Sequence, residues 1–424
     1  MCMRGLNAGL GAVLVAAVLA GCGGGGDDAR KGQSTPDAPA EQPTSTPKKP
    51  ERKAFDPPKV FEKTEAKFKL SSFNDEQVPT VTLHDGNLYG LNDQAVVAMD
   101  GLTGDVMWSA PATIKVSTGA DPTAPVVYKD RVYAAINGSK PAQGTAPSVP
   151  QVEVMALDLK TGKADWNTVI DIDLGNKLST GKGRPTVAGV TDTSVVVSYF
   201  DDSASLGRTF AVDANSHQVR WTKDMFLAAE VDSGVVVGSG GKPLIGEQRT
   251  TAGLAEADGA QKWSIDTGGY PAKLMPISPK VVASSLKIYS NGDNKFDIID
   301  VTTGKPLYSK TTEVSSMSSY EVTCFYDDQS LVICDARGER TFAYDANSVG
   351  ATPLWEITKT ANRVVPNLTA AYHGMVYGFG ANDPVAIDGK TGKDAPDAPG
   401  AAPALVDKYL AVDVKKQLSY RPIK

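Results

Sequence analysis

Histidine is nearly absent from this chain: three residues in 424, His84, His217 and His373. None is spaced with Cys, Asp or Glu as a zinc site requires. Cysteine is almost as scarce. Of four, Cys2 and Cys22 lie near the N-terminus, and only Cys324 and Cys334 remain in the body of the chain. Neither a thiolate metal cluster nor a dense disulfide framework can be built from that stock. Positive charge is not in excess, since the formal net charge is −6. Nucleic acid and an anionic membrane surface are therefore not expected partners. No apolar run reaches the roughly 20 residues that a spanning helix needs. P-loop, dinucleotide and nucleophile-elbow patterns are missing. The oxygen-rich stretch 291–300, NGDNKFDIID, departs from the EF-hand spacing and reads as a hairpin turn. No catalytic residue and no metal ligand is assigned.

What is present begins at the N-terminus. Arg4 precedes an apolar run from Ala8 to Ala20, then Gly21. This is the basic, apolar, small pattern of a secretory signal over residues 1–21. Leu19-Ala20-Gly21-Cys22 resembles the lipobox of bacterial lipoproteins. That resemblance implies cleavage before Cys22, lipid (palmitate included) on its thiol, and anchoring to the cell membrane on the extracytoplasmic face. Residues 22–58 are rich in Gly, Pro, Ser, Thr and charge, with Phe55 the only large apolar residue. Such a segment cannot offset its ordering entropy by burial. It is expected to be a disordered tether with a reach of roughly 30–35 Å.

The rest of the chain, 59–424, repeats. VVAMDGLTGDVMW ends at Trp108, and altered copies end at Trp166, Trp221, Trp263, Tyr308 and Trp355. The turn aspartates are read as Asp100, Asp158, Asp213, Asp258, Asp300, Asp345 and Asp388, spaced 42 to 58 residues apart. The copy at Asp258 reads as a shorter turn, the one at Asp345 as a longer turn. The last copy lacks the aromatic. A period in the forties marks a propeller blade of four antiparallel strands. Each part has a physical cause. Asp accepts a backbone N–H two residues on, Thr does so more weakly, and Gly allows positive φ. All five tryptophans of the chain sit at one register. A ring at that place covers the gap between neighbouring blades, and its N–H can reach a carbonyl.

These copies resemble the tryptophan-docking repeat of PQQ-like, quinoprotein-type β-propellers, most closely at Ala98 to Trp108 and Ala156 to Trp166. The resemblance implies an all-β propeller. It implies little about activity, because the motif builds blades. Quinoprotein dehydrogenases of this type carry an adjacent Cys-Cys pair and calcium ligands, and this chain has no such pair. No cofactor is expected, PQQ included.

Upstream of each turn lies a second hairpin, for example TVTLHDGNLYGL and AAYHGMVYGFG. These read as the inner two strands of each blade. The last hairpin, 404–412, is followed by QLSYRPI and then by no fourth strand, while KVFEKTEAKFKL at 59–70 stands unpaired before the first hairpin. The expectation is a composite last blade and eight blades in all, with seven blades as the alternative. Closing the ring this way removes an open edge.

In such blades the first-to-second and third-to-fourth turns lie on one face, here short and regular. The other face carries long loops at 137–151, 170–184, 200–208 and 238–249. Function concentrates on such loops. Asp171, Asp173, Lys177, Lys182, Arg184, Asp201, Asp202 and Arg208 are the candidate binding residues. Cys324 and Cys334 flank a hairpin turn. A cross-strand disulfide and two free thiols both fit that spacing. The function expected is a membrane-anchored, non-enzymatic scaffold with a protein or peptide partner. An assembly-factor-like lipoprotein and a quinoprotein-type oxidoreductase are the alternatives.

Overall fold

The computed structural model describes residues 52–67, 80–92, 94–117, 123–173, 183–201, 206–241, 249–270, 272–287, 293–312, 322–336, 338–359 and 363–424. Residues 1–21, Cys22, Lys177, Lys182 and Asp202 lie outside them.

The strand Ser194–Asp201 explains the architecture. Val195, Val197 and Tyr199 pack with Tyr133, Val152 and Val154 of the preceding sheet. Val196, between them in sequence, packs with Phe226 and Val236 of the following sheet. Successive side chains of a strand point to opposite faces. A sheet covered on both faces must therefore be apolar at nearly every position. The core is distributed among the seams between sheets rather than gathered at one centre.

The first blade consists of Val81–His84, Asn87–Leu91, Ala95–Asp100 and Val106–Pro111, from the axis outward. Blades two to six repeat this order within 126–171, 184–224, 226–266, 272–312 and 323–358. The eighth is composite. Leu405–Val406, Ala411–Asp413 and Leu418–Pro422 are completed by Phe61–Lys67, with Phe61 opposite Pro422. The eight-bladed β-propeller expected from the repeat is the observed fold. One blade differs: the seventh has three strands, Asn367–Tyr372, Met375–Gly380 and Asp383–Asp388. Its outer strand is reduced to a bridge from Ile387 to Asp394 and a bond from Ala395 N–H to the Ala386 carbonyl, 2.8 Å. Pro396, Pro399 and Pro403 follow, and proline cannot donate to a ladder.

The repeat residues act between blades as well as within them. Asp100, Asp158, Asp213, Asp345 and Asp388 each accept the N–H two residues on, and Asp300 accepts the N–H three residues on. Hydrogen bonds from the Thr161 hydroxyl hold the Asp158 carboxyl below its usual range, and the Arg220 guanidinium does so for Asp213. Indole N–H groups of Trp108, Trp221, Trp263 and Trp355 donate to the carbonyls of Leu159, Glu256, Val301 and Gly389 in the next blade, at 3.2, 2.8, 2.9 and 2.7 Å. The turn glycine of that next blade lies under the ring. Gly162 has φ 69°, and a Cβ there would stand 2.5 Å from Trp108. In blade three His217 takes the glycine's place at φ 59°, and its imidazole stacks on Trp166 with centroids 4.8 Å apart. His217 is thus a half-buried structural residue. Tyr308 packs on Tyr344, and its hydroxyl accepts from Arg340 at 2.8 Å.

Asp258 needs correcting. Ala255, not Asp258, begins the fourth blade's turn: its N–H donates to the Ala260 carbonyl, and Gly259 N–H returns to Ala255 at 2.9 Å. Asp258 fills the threonine position and accepts the Ala260 N–H at 2.9 Å. The turn has the ordinary length, with alanine where the other blades have aspartate.

Cys324 and Cys334 face each other across the sixth blade's inner strands and are joined, with Cα atoms 4.0 Å apart. Substituting both with serine should cost about 2–3 kcal/mol. Thermal melts of the variant against the parent, each with and without reductant, check this. An equal melting temperature in all four would refute a stabilising role.

The segment Arg52–Pro58, expected within the tether, is bonded to the ring. Arg52 donates to the Asp85 carbonyl and to Asn87, both at 2.6 Å, and pairs with buried Asp100 at 3.0 Å. Phe55 N–H donates to the Lys408 carbonyl at 2.8 Å. Asp56 pairs with His373, and the Tyr377 hydroxyl donates to the Pro58 carbonyl at 2.5 Å. This strap touches blades one, eight and seven in turn. Composition missed it because polar bonds, rather than apolar burial, hold it.

Candidate functional site

The two faces of the ring differ chemically. On the turn face, carboxylates are committed to backbone. Asp327 accepts N–H groups from Gln329, Ser330, Leu331 and, in the next blade, Gly374. Asp407 accepts from Tyr409, Leu410 and, in the next blade, Gly86. The strap also lies on this face.

The opposite, loop face receives the described candidate residues. Asp171 ends the outer strand Ala164–Asp171 and accepts from Gln151 at 2.6 Å, and Asp173 follows it, exposed. Arg184 opens the inner strand Arg184–Val190, with its guanidinium 5.6 Å from the Phe200 ring centre. Asp201 is fully buried. Arg208 pairs with Asp224 on the neighbouring strand. These residues share a face but do not converge on one point. Arg208 is already held within its blade, and Asp201 is shut off from solvent.

Beside them lies a groove of about 360 Å³ between blades three, four and five. Phe200, Met225, Leu227 and Leu274 supply apolar walls, while Gly207 and Gly240 let backbone form the floor. Met225 is the single residue linking Val219–Asp224 to Phe226–Asp232, and it adopts φ 56°. A left-handed methionine is strained, and such strain gathers at binding sites. Its N–H is pinned to the Gly207 carbonyl at 2.7 Å and its carbonyl to Gly241 N–H at 3.0 Å. Methionine also adapts its shape to a ligand. The loops at 200–208 and 238–249 pointed to this region. The apolar residues that line it were missed, because they read as ordinary strand ends. Next to the lining residue Ala229 stands Glu230, 8% exposed. Burial, then the nearby Asp232 charge, push its carboxyl up to about 8.

A second cavity, about 410 Å³, lies on the ring axis, lined by inner strands of blades one, two, six, seven and eight. Its walls include Leu83, Phe325, Leu405 and Val406, with Tyr326 and Asp328 toward the turn face. Pyrroloquinoline quinone is a tricarboxylate and would need cations here. The cavity instead offers apolar walls and one carboxylate. Among the described residues no group of three His, Cys, Asp or Glu could hold a metal ion. These residues do not fit that cofactor.

No curated protein sequence matches this chain. Among solved structures it is similar to quinohemoprotein alcohol dehydrogenase from Comamonas testosteroni, with 15% identity and TM-score 0.47, over 84% of this chain and 73% of that one. It is similar to BamB from Moraxella catarrhalis, with 13% identity and TM-score 0.39, over 80% and 91%. The family model described as outer membrane protein assembly factor BamB matches residues 65–228 and 172–395, most of the chain. This protein belongs to that family.

Proposed function

We propose that this protein is a non-enzymatic docking scaffold of the cell envelope, anchored through lipid on Cys22 and presenting its loop face to a protein partner. One observation carries the reading: the chain enters the ring through the strap on the turn face. The loop face, with its groove, thus lies opposite the point where the N-terminal segment joins the ring. The groove's strained Met225 and apolar walls suit side chains from an extended partner segment. The family description favours, as partner, an envelope protein under assembly. A quinoprotein-type oxidoreductase is disfavoured by the charge of the axial cavity.

The test is an in-cell crosslink and pull-down of the full chain, compared with Leu227→Asp, Leu274→Asp and Cys22→Ala forms. One dominant envelope partner is expected, lost with either groove variant and reduced when the lipid site is removed. A partner retained by both groove variants would refute the groove as the docking site. No partner above background would sink the scaffold reading.

A further inference from the structure

The inner hairpin turns ring the axial cavity on the turn face, and their cations are engaged. Lys129 pairs with Asp192, His373 with Asp56, and Lys408 with Asp85 at 3.3 Å. Lys280 donates to the Asn347 side chain at 2.7 Å. Of the two adjacent acids in blade six, Asp327 is consumed by four backbone N–H groups. Asp328 is different. It lines the axial cavity and adopts φ 62°, a left-handed conformation. No hydrogen bond or ion pair among the described residues holds its carboxylate. Solvent reaches it, yet the cavity walls hem it in, and that desolvation pushes its carboxyl above the ordinary range.

Phe325 and Tyr326, from the strand that leads into this turn, line the same cavity. An unpaired carboxylate at an apolar cavity suits a cationic head with an apolar tail, and an alkylammonium ion is the simplest such ligand. The remaining walls, Leu83, Leu405 and Val406 among them, are apolar. A volume of about 410 Å³ suits a small molecule. We infer that the axial cavity binds a small alkylammonium ion, with its charged head on Asp328 and its chain among the apolar walls. This site is separate from the loop-face groove and does not depend on the docking role. It also opposes anionic ligands.

Ligand-observed NMR on the full chain tests the assignment with three probes of equal length: n-hexylammonium, 1-hexanol and hexanoate. The ammonium should bind, the alcohol at least about tenfold more weakly, and the carboxylate not at all. Asp328→Asn and Asp328→Gly both tolerate the left-handed backbone. Each should keep the parent melting temperature and lose ammonium binding by about tenfold or more. Equal binding of hexanol and hexylammonium would overturn the inference. So would undiminished ammonium binding in the folded variants, or no binding of the ammonium to the parent protein.

Discussion

Replacing Glu230 with glutamine should flatten the pH dependence of stability and raise the melting temperature at alkaline pH. Glu230 stands opposite Val237 on the neighbouring strand, and cross-strand partners share a face. Val237 packs with Val282, Ile299 and Val301 at the seam to blade five. Among the described residues no hydrogen bond satisfies the buried Glu230 Oε2, and Asp232 adds repulsion. Its carboxyl is raised from 4.5 to about 8. Below the lower value it is neutral in both states, and burial costs little extra. As pH rises through this window the unfolded chain releases its proton while the folded one keeps it, so stability is lost progressively. Above about 8 the full penalty applies, on the order of 3–5 kcal/mol. Glutamine cannot ionise, although its buried amide carries a constant cost of about 1–3 kcal/mol. The slope, rather than the absolute value, is therefore diagnostic. Calorimetric scans from pH 4.5 to 9 should show the parent's melting temperature falling relative to the variant's. Parallel curves would mean that the carboxyl is solvated after all.

Gly304→Ala should be among the most damaging single-methyl additions in the ring. Gly304 has φ 71°, and an added Cβ would lie 2.4 Å from the Trp263 ring. Two costs combine. A left-handed alanine costs about 1–2 kcal/mol. Displacing a packed indole costs about 1–3 kcal/mol more, together with strain on its bond to the Val301 carbonyl. Gly234 separates them: its φ is 72°, but nothing lies within 4 Å of the added methyl. Gly234→Ala should therefore cost only the backbone part. Denaturant unfolding of both variants measures the difference, and equal losses would mean that the indole contact contributes nothing.

The blades were visible in the sequence because three side-chain requirements coincide: an acceptor opening the turn, a glycine with positive φ, and an indole eight residues after the acceptor. Each is hard to replace, so it leaves a mark. The misplacement at Asp258 shows the weakness of following one letter. The spacing that four other copies keep between acceptor and aromatic would have selected Ala255 for Trp263. The composite eighth blade was legible for a related reason, an unpaired strand at one end and a vacancy at the other. The binding features were not. Asp328 sits in a plain hairpin turn, and only the ring brings it beside Tyr326 and the strand Leu405–Val406. Glu230 lies within FLAAEVD, where an acid at an inner strand reads as solvent-facing. The candidate charges read as free loop groups, but strand pairing fixes Arg208 against Asp224. Pairing of that kind carries no signature in linear order.

The strand Phe61–Lys67 is among the first parts of the ring to leave the ribosome, and its partner Leu418–Pro422 is almost the last. Most of the chain must be made before the two can meet, so closure is a late event with a long search. Until then the early strand has no edge to pair with. A chain terminated before Leu418 would expose strand edges that invite association or cleavage. The ring thus couples its closure to synthesis: it stays open until both of these strands have been made.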